Sequence, residues 1–200
     1  TSRGIGRELA EHFLERGDVV HGCSRGSAAI AHRRYRHHSL DVGNEPAVVA
    51  MIRNVITRDE RIDALINNAG IASMNHALLT PATVAQDIFS TNFQGTFLFC
   101  REAAKAMLRR KAGRIVNFTS IANPLRLEGE SLYAASKAAV ESFTQVLARE
   151  LGRTGITVNA VGPSPVPTDM VRNVPRQKME ALLSRQAIPR FGTADDVINV

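Results

Sequence analysis

The 200-residue chain has no tryptophan and only two tyrosines. Proteins that hold single-stranded nucleic acid stack its bases on aromatic side chains, so this scarcity argues against nucleic acid as a partner. The point needs making because the formal net charge is +6 and the pI near 10.0. Cysteine is just as scarce. Cys23 falls in a predicted strand and Cys100 in a predicted helix, with no ligand-like spacing, which argues against a disulfide framework and a metal site. Two buried free thiols in a reducing, cytoplasmic setting are expected. No run approaches the roughly 20 apolar residues that cross a bilayer, so no membrane partner is expected. No secretory leader is visible.

What is present suits one globular domain over residues 1–200. Hydrophobic residues make up 44% of the chain, enough for a substantial core at this length. No repeat, low-complexity stretch or linker divides it. Strands are predicted at Asp18–Arg25, Tyr35–Leu40, Ile62–Ile66, Ile115–Ser120 and Ile156–Val161. Helices are predicted near 4–16, 45–58, 81–111, 131–153 and 169–185. This alternation predicts an α/β fold, a doubly wound parallel sheet covered on both faces.

Chemistry concentrates in Ser131-Leu-Tyr-Ala-Ala-Ser-Lys137. Residues at i and i+4 share a helix face, so the Tyr133 phenol and Lys137 ammonium point to one site. A nearby cation is expected to lower the tyrosine's pKa from its ordinary value near 10. Upstream, Ser120 closes a buried strand. At the chain's start, Gly4-Ile5-Gly6 opens an amphipathic helix, an arrangement that lets a phosphate approach unpaired backbone N–H groups.

In this order, the glycine-rich helix start, Asn67-Asn68-Ala69-Gly70, Thr91-Asn92-Phe93-Gln94-Gly95, Ser120 with Tyr133-x-x-x-Lys137, and Asn159…Pro163 resemble the short-chain dehydrogenase/reductase family. The resemblance covers essentially the whole chain and implies a Rossmann-type fold. Within the family the motifs are most similar to 3-oxoacyl-carrier-protein reductases. The chain departs from the pattern at both ends: it starts inside the glycine motif and stops after a late helix start. An excerpt lacking the family's first and last strands is therefore expected. A third departure is Pro163-Ser164-Pro165, where the family commonly has Pro-Gly.

The resemblance implies roles residue by residue. Tyr133 exchanges the proton, Lys137 tunes it and binds the nicotinamide ribose, Ser120 holds the substrate oxygen, and Asn92 positions a relay water. Ser2, Arg3, Gly4, Ile5 and Gly6 border the cofactor's phosphates. Asn67, Ala69 and Gly70 line its cleft, with Asn68 read as structural. Asp41 and Val42 contact adenine, although Asp41 as a loop-start hydrogen-bonder competes closely. Pro163, Val166 and Thr168 hold the carboxamide. The predicted strand Asp18–Arg25, which takes the place of the family's second strand, ends at Ser24-Arg25 without an acid, which, with Arg3, points to NADP(H).

The expected activity is hydride transfer between nicotinamide and a carbonyl or secondary alcohol. The substrate is expected to be a 3-oxoacyl thioester or related ketone, small or carrier-bound, as in fatty acid biosynthesis. A sugar, steroid or other secondary-alcohol dehydrogenase is the alternative, and a non-catalytic NADP-binding regulator a more distant one. Arg109, Arg110, Lys111 and Arg153 form a basic cluster that either docks an acidic carrier protein or complements helix dipoles. A homodimer or homotetramer through helices 81–111 and 131–153 is implied. No metal is expected.

Overall fold

The computed structural model describes residues 1–172 and 174–200. Helix α1 (Gly4–Glu15) buries Leu9, Ala10 and Leu14 along one stripe and leads into β1 (Val20–Ser24) and β2 (Tyr35–Ser39). Then come α2 (Glu45–Asp59), β3 (Ala64–Asn67), α3 (Ala82–Phe89), α4 (Gly95–Arg110) and β4 (Gly113–Phe118). The chain continues through α5 (Ala122–Leu125), α6 (Ser131–Leu151), β5 (Ile156–Val161), α7 (Arg176–Ser184) and α8 (Ala194–Ile198).

Every strand pairing is parallel; β3, β4 and β5 are joined through helices, as a parallel crossover usually is, whereas β1 passes to β2 through residues 25–34 without one. β1 pairs with β2, while β4 lies between β3 and β5. Ile115 on β4 and Ile156 on β5 meet Val48 of α2 and Met107 of α4 in a core that is essentially dry. The two sheets face each other across a cavity of about 720 Å3, walled by Leu9, Cys23, Met51, Ile66 and Phe99. No strand among the described residues bridges them. Both thiols are free; burial pushes Cys23 up and Cys100 up to about 12, so Cys100 is inert.

Two helix expectations need correcting. The segment predicted as one helix over 81–111 is broken at Ser90–Gln94, where one π-helical turn separates α3 from α4. Hydrophobic spacing does not register such a widened turn, because both flanks keep their inward stripe. The helix predicted over 169–185 begins only at Arg176. Pro175 supplies the reason: it disfavours helical backbone in the residue before it. Asn173, within that expectation, lies outside the described residues.

One turn makes a stability prediction. Gly155 turns into β5 at φ 79°, and a Cβ there would lie 2.1 Å from the Lys111 carbonyl oxygen. That neighbour is backbone at the end of α4 and has no rotamer to give way. Combining left-handed strain with overpacking, Gly155→Ala is expected to cost about 3 kcal/mol. Urea denaturation reads the loss; an unchanged midpoint refutes the packing described for this corner.

Candidate active site

Parallel strands put all their carboxyl ends on one edge, and the loops leaving that edge build the site. Beyond β4 lie Thr119 and Ser120; beyond β3, Asn68 and Gly70; beyond β5, Pro163, Val166 and Thr168. Ile5 of α1 and Tyr133 and Lys137 of α6 complete the wall of one cavity of about 400 Å3. Residues far apart in sequence thus converge on a single pocket.

Lys137 is 4% exposed, yet among the described residues it makes a single hydrogen bond, donating from Nζ to the Phe118 carbonyl at 2.7 Å. An ammonium has three N–H donors, so two remain for the cavity it lines. Burial lowers its pKa to about 8. Tyr133 runs against the sequence expectation: its phenol is pushed above its ordinary value. Burial is the main cause, Glu130 adds to it, and a hydrogen bond with Ser120 opposes it. The lysine Nζ lies 6.0 Å from the ring centroid, and desolvation sets the direction of the shift.

Asn92 is fully buried on the π-helical turn. Its Oδ1 accepts from the Ile71 N–H at 2.8 Å, and its Nδ2 donates to the Ile71 carbonyl and to Ser136 Oγ, each at 2.9 Å. Ser136 in turn donates to the Tyr133 carbonyl at 2.7 Å. Both Nδ2 donors are therefore committed to tying the β3 loop to the helix that carries Tyr133, and Oδ1 keeps one lone pair. It remains adjacent to the site: a Cβ added at Gly70 would lie 3.4 Å from Asn92 Oδ1 and 3.5 Å from Lys137 Nζ. The missing Cβ at Gly70 leaves that approach open.

Asn67 and Asn68 exchange the parts expected of them. Asn67 Nδ2 donates to Asn117 Oδ1 at 2.9 Å and to Cys100 Sγ at 3.2 Å, deep in the core. Asn68 lines the cavity of about 400 Å3. Alternation along a strand sends neighbouring side chains to opposite faces, and a sequence does not say which face a strand-end pair adopts. Asp41 accepts from the Gly43 N–H at 2.8 Å, so its side chain starts the loop. Val42 packs on Gly95 at the start of α4.

Arg3 precedes α1 in extended conformation, offers no side-chain cap, and donates to Asp169 at 3.2 Å. The first-turn N–H groups therefore stay open to an anion. Gly4 abuts the Thr168 methyl, bringing the glycine turn against the loop beyond β5. Ser2 is half-buried on that turn, and Ala69 lines the cavity between the sheets. Ser24 and Arg25 lie together at the end of β1, apart from the catalytic cavity. Sequence reasoning missed Ser136, which the i, i+3 spacing from Tyr133 could have shown. It also left out Met179 and Leu182 of α7, which close the far wall.

A family model described as short chain dehydrogenase matches residues 1–179. The 3-oxoacyl-(acyl-carrier-protein) reductase FabG of Staphylococcus aureus is 33% identical, over 99% of this chain and 85% of its own length. Its namesake from Vibrio harveyi is also 33% identical, over 98% of this chain and 83% of its own. Among solved structures, ElxO with NADP bound superposes at a TM-score of 0.90, with 28% identity, 99% coverage of this chain and 85% of that chain. A short-chain dehydrogenase from Streptomyces avermitilis reaches 0.80 at 31% identity, covering 84% of this chain and 65% of that chain.

Proposed function

The chain belongs to the short chain dehydrogenase family, and from that premise we propose that it is an NADP(H)-dependent ketone reductase acting on 3-oxoacyl thioesters. One observation carries the reading: Ser120, Tyr133 and a buried lysine with unused donors meet at one mainly apolar cavity. Relatives named for 3-oxoacyl reduction and a neighbour solved with NADP support the substrate and the cofactor.

The residues fit a nicotinamide dinucleotide. Lys137 has two N–H donors for ribose hydroxyls, Gly70 leaves room beside it, and the uncapped start of α1 suits the pyrophosphate. Arg25, with no acid at the end of β1, suits a 2′-phosphate. The bound cofactor supplies the hydride. The chain's own residues manage the proton. Ser120 and Tyr133 offer hydroxyls to the substrate oxygen, and Tyr133 gives up its proton as negative charge grows there. The phenol, pushed upward by burial, is protonated at neutral pH and so holds the proton that a reduction needs. The Lys137 charge then stabilises the phenolate left behind. Asn92 and Ser136 hold the two walls in register.

NADPH consumption against a panel of carbonyls tests this, with a 3-oxoacyl thioester expected to turn over fastest. Tight NADPH binding without turnover on any carbonyl would overturn it. The pH profile is a second test. Lys137 assists while charged, and burial lowers its pKa to about 8, so reductive kcat/KM should hold below pH 8 and fall above it. A flat profile from pH 6 to 10 assigns the lysine no electrostatic role.

A carrier-bound substrate, a cytoplasmic location and a homodimer or homotetramer complete the proposal. No described helix is long and apolar enough to cross a membrane. Exposed Phe89, Phe97 and Val146 on α3, α4 and α6 support assembly along those helices. The basic cluster is only partly available, since Arg110 pairs with Asp63 at 3.1 Å. It also lies where α4 turns into β4, at the edge of the sheet opposite Tyr133.

A further inference from the structure

The basic run His32–His38 has no part in the site described so far, yet it carries a buried tyrosine, Tyr35, and a half-buried histidine, His37, on the same strand. His37 on β2 lies beside the turn that follows β1. Its Nε2 is 2.7 Å from the Gly26 carbonyl and 3.2 Å from Ser24 Oγ, and its Nδ1 is 3.0 Å from the Tyr35 hydroxyl. A carbonyl only accepts, so Nε2 donates to Gly26, and in the tautomer protonated at Nε2 alone Nδ1 accepts from Tyr35. With its own proton directed to His37, the Tyr35 hydroxyl accepts from Thr1 Oγ1 at 2.7 Å.

A directional chain of hydrogen bonds therefore runs from Thr1, through Tyr35 and His37, to Gly26. It joins the glycine-rich turn to the turn that carries Arg25. Two more bonds fasten that second turn. Ser24 Oγ donates to the Gly26 carbonyl at 2.8 Å, and Ser39 Oγ donates to the Arg25 carbonyl at 3.0 Å. Both carbonyls of the Arg25–Gly26 step are thereby held by side chains, while Arg25 itself is exposed. An arginine projecting from a fixed backbone loses less freedom on binding a phosphate than one on a loose loop.

We propose that His37 is a positioning residue for cofactor choice, holding the Arg25 turn in the conformation that accepts the 2′-phosphate. This rests on the NADP(H) reading above. His37 acts through the backbone of the turn, and the phosphate contact belongs to Arg25. Removing the imidazole should therefore weaken binding only of nucleotides that carry a 2′-phosphate.

Calorimetric titration of the protein with 2′,5′-ADP and with 5′-AMP separates the outcomes without any turnover. In the wild type, 2′,5′-ADP is expected to bind more tightly. His37→Leu should weaken 2′,5′-ADP about tenfold and leave 5′-AMP within about twofold. His37→Gln, whose terminal amide can still donate to the Gly26 carbonyl, should recover most of the loss. Ser39→Ala, which removes the neighbouring tether, should give a smaller loss of the same selective kind, and it decides the matter should His37→Leu not fold. A wild type that binds both nucleotides equally overturns the NADP(H) reading and this proposal with it. A wild-type preference that survives His37→Leu, or a loss shared equally by both nucleotides, overturns the role of His37 alone.

Discussion

Tyr133→Phe is expected to lower kcat for carbonyl reduction about a thousandfold while NADPH binding stays within about threefold. The change removes one oxygen and keeps the ring, which is 8% exposed and packed at the cavity wall, so the site keeps its shape. What disappears is the proton that must reach the substrate oxygen, and a positioned general acid contributes about a hundred- to ten-thousandfold. Ser120 remains and can still donate a hydrogen bond, which is why some activity should survive. Stopped-flow reduction with saturating NADPH isolates the step. A variant retaining more than a tenth of wild-type kcat would remove Tyr133 from the mechanism and leave Ser120 as the next donor to test.

Lys137→Met should separate activity from stability. Turnover should fall at least a hundredfold, because the charge that stabilises the developing phenolate is gone. The fold, by contrast, should become more stable at pH 7. The lysine is 4% exposed, and its pKa falls from the ordinary 10.5 to about 8. At pH 7 it is charged both folded and unfolded, and the folded protein bears the desolvation. A shift of that size corresponds to about 3 kcal/mol, and losing the hydrogen bond to the Phe118 carbonyl offsets about 1 kcal/mol of it.

The sign follows from proton counting. Between pH 8 and 10.5 the unfolded chain binds more protons at this site than the folded one, so wild-type stability rises with pH across that window. The advantage of Lys137→Met is therefore full below pH 8 and vanishes above pH 10.5. Urea unfolding of both proteins at pH 7 and at pH 10.5 measures it. A variant less stable than wild type at pH 7 would mean that the buried ammonium is better solvated than its single hydrogen bond implies.

Several features of this protein follow from residue order alone. Strands separated by helix patterns point to parallel pairing, and β3, β4 and β5 pair that way. The i, i+4 spacing of Tyr133 and Lys137 places them on one helix face wherever that helix packs. The order of motifs was enough to indicate the family to which the chain belongs. These inferences hold because they depend on local geometry, which a short stretch of chain carries by itself.

Other features depend on what folds against what. Whether Asn67 or Asn68 faces the cavity depends on which side of β3 meets Cys100 and Asn117. The Tyr133 phenol is pushed up instead of down because burial, a property of the assembled pocket, is the leading cause of its shift. The π-helical turn that seats Asn92 beside Lys137 leaves no periodic trace, since both flanking helices keep their apolar stripes. The bonds joining Thr1, Tyr35, His37 and Gly26 span separate elements. Spacing determines which residues share a helix face; packing decides how dry that face becomes, and dryness sets the charge state on which the chemistry depends.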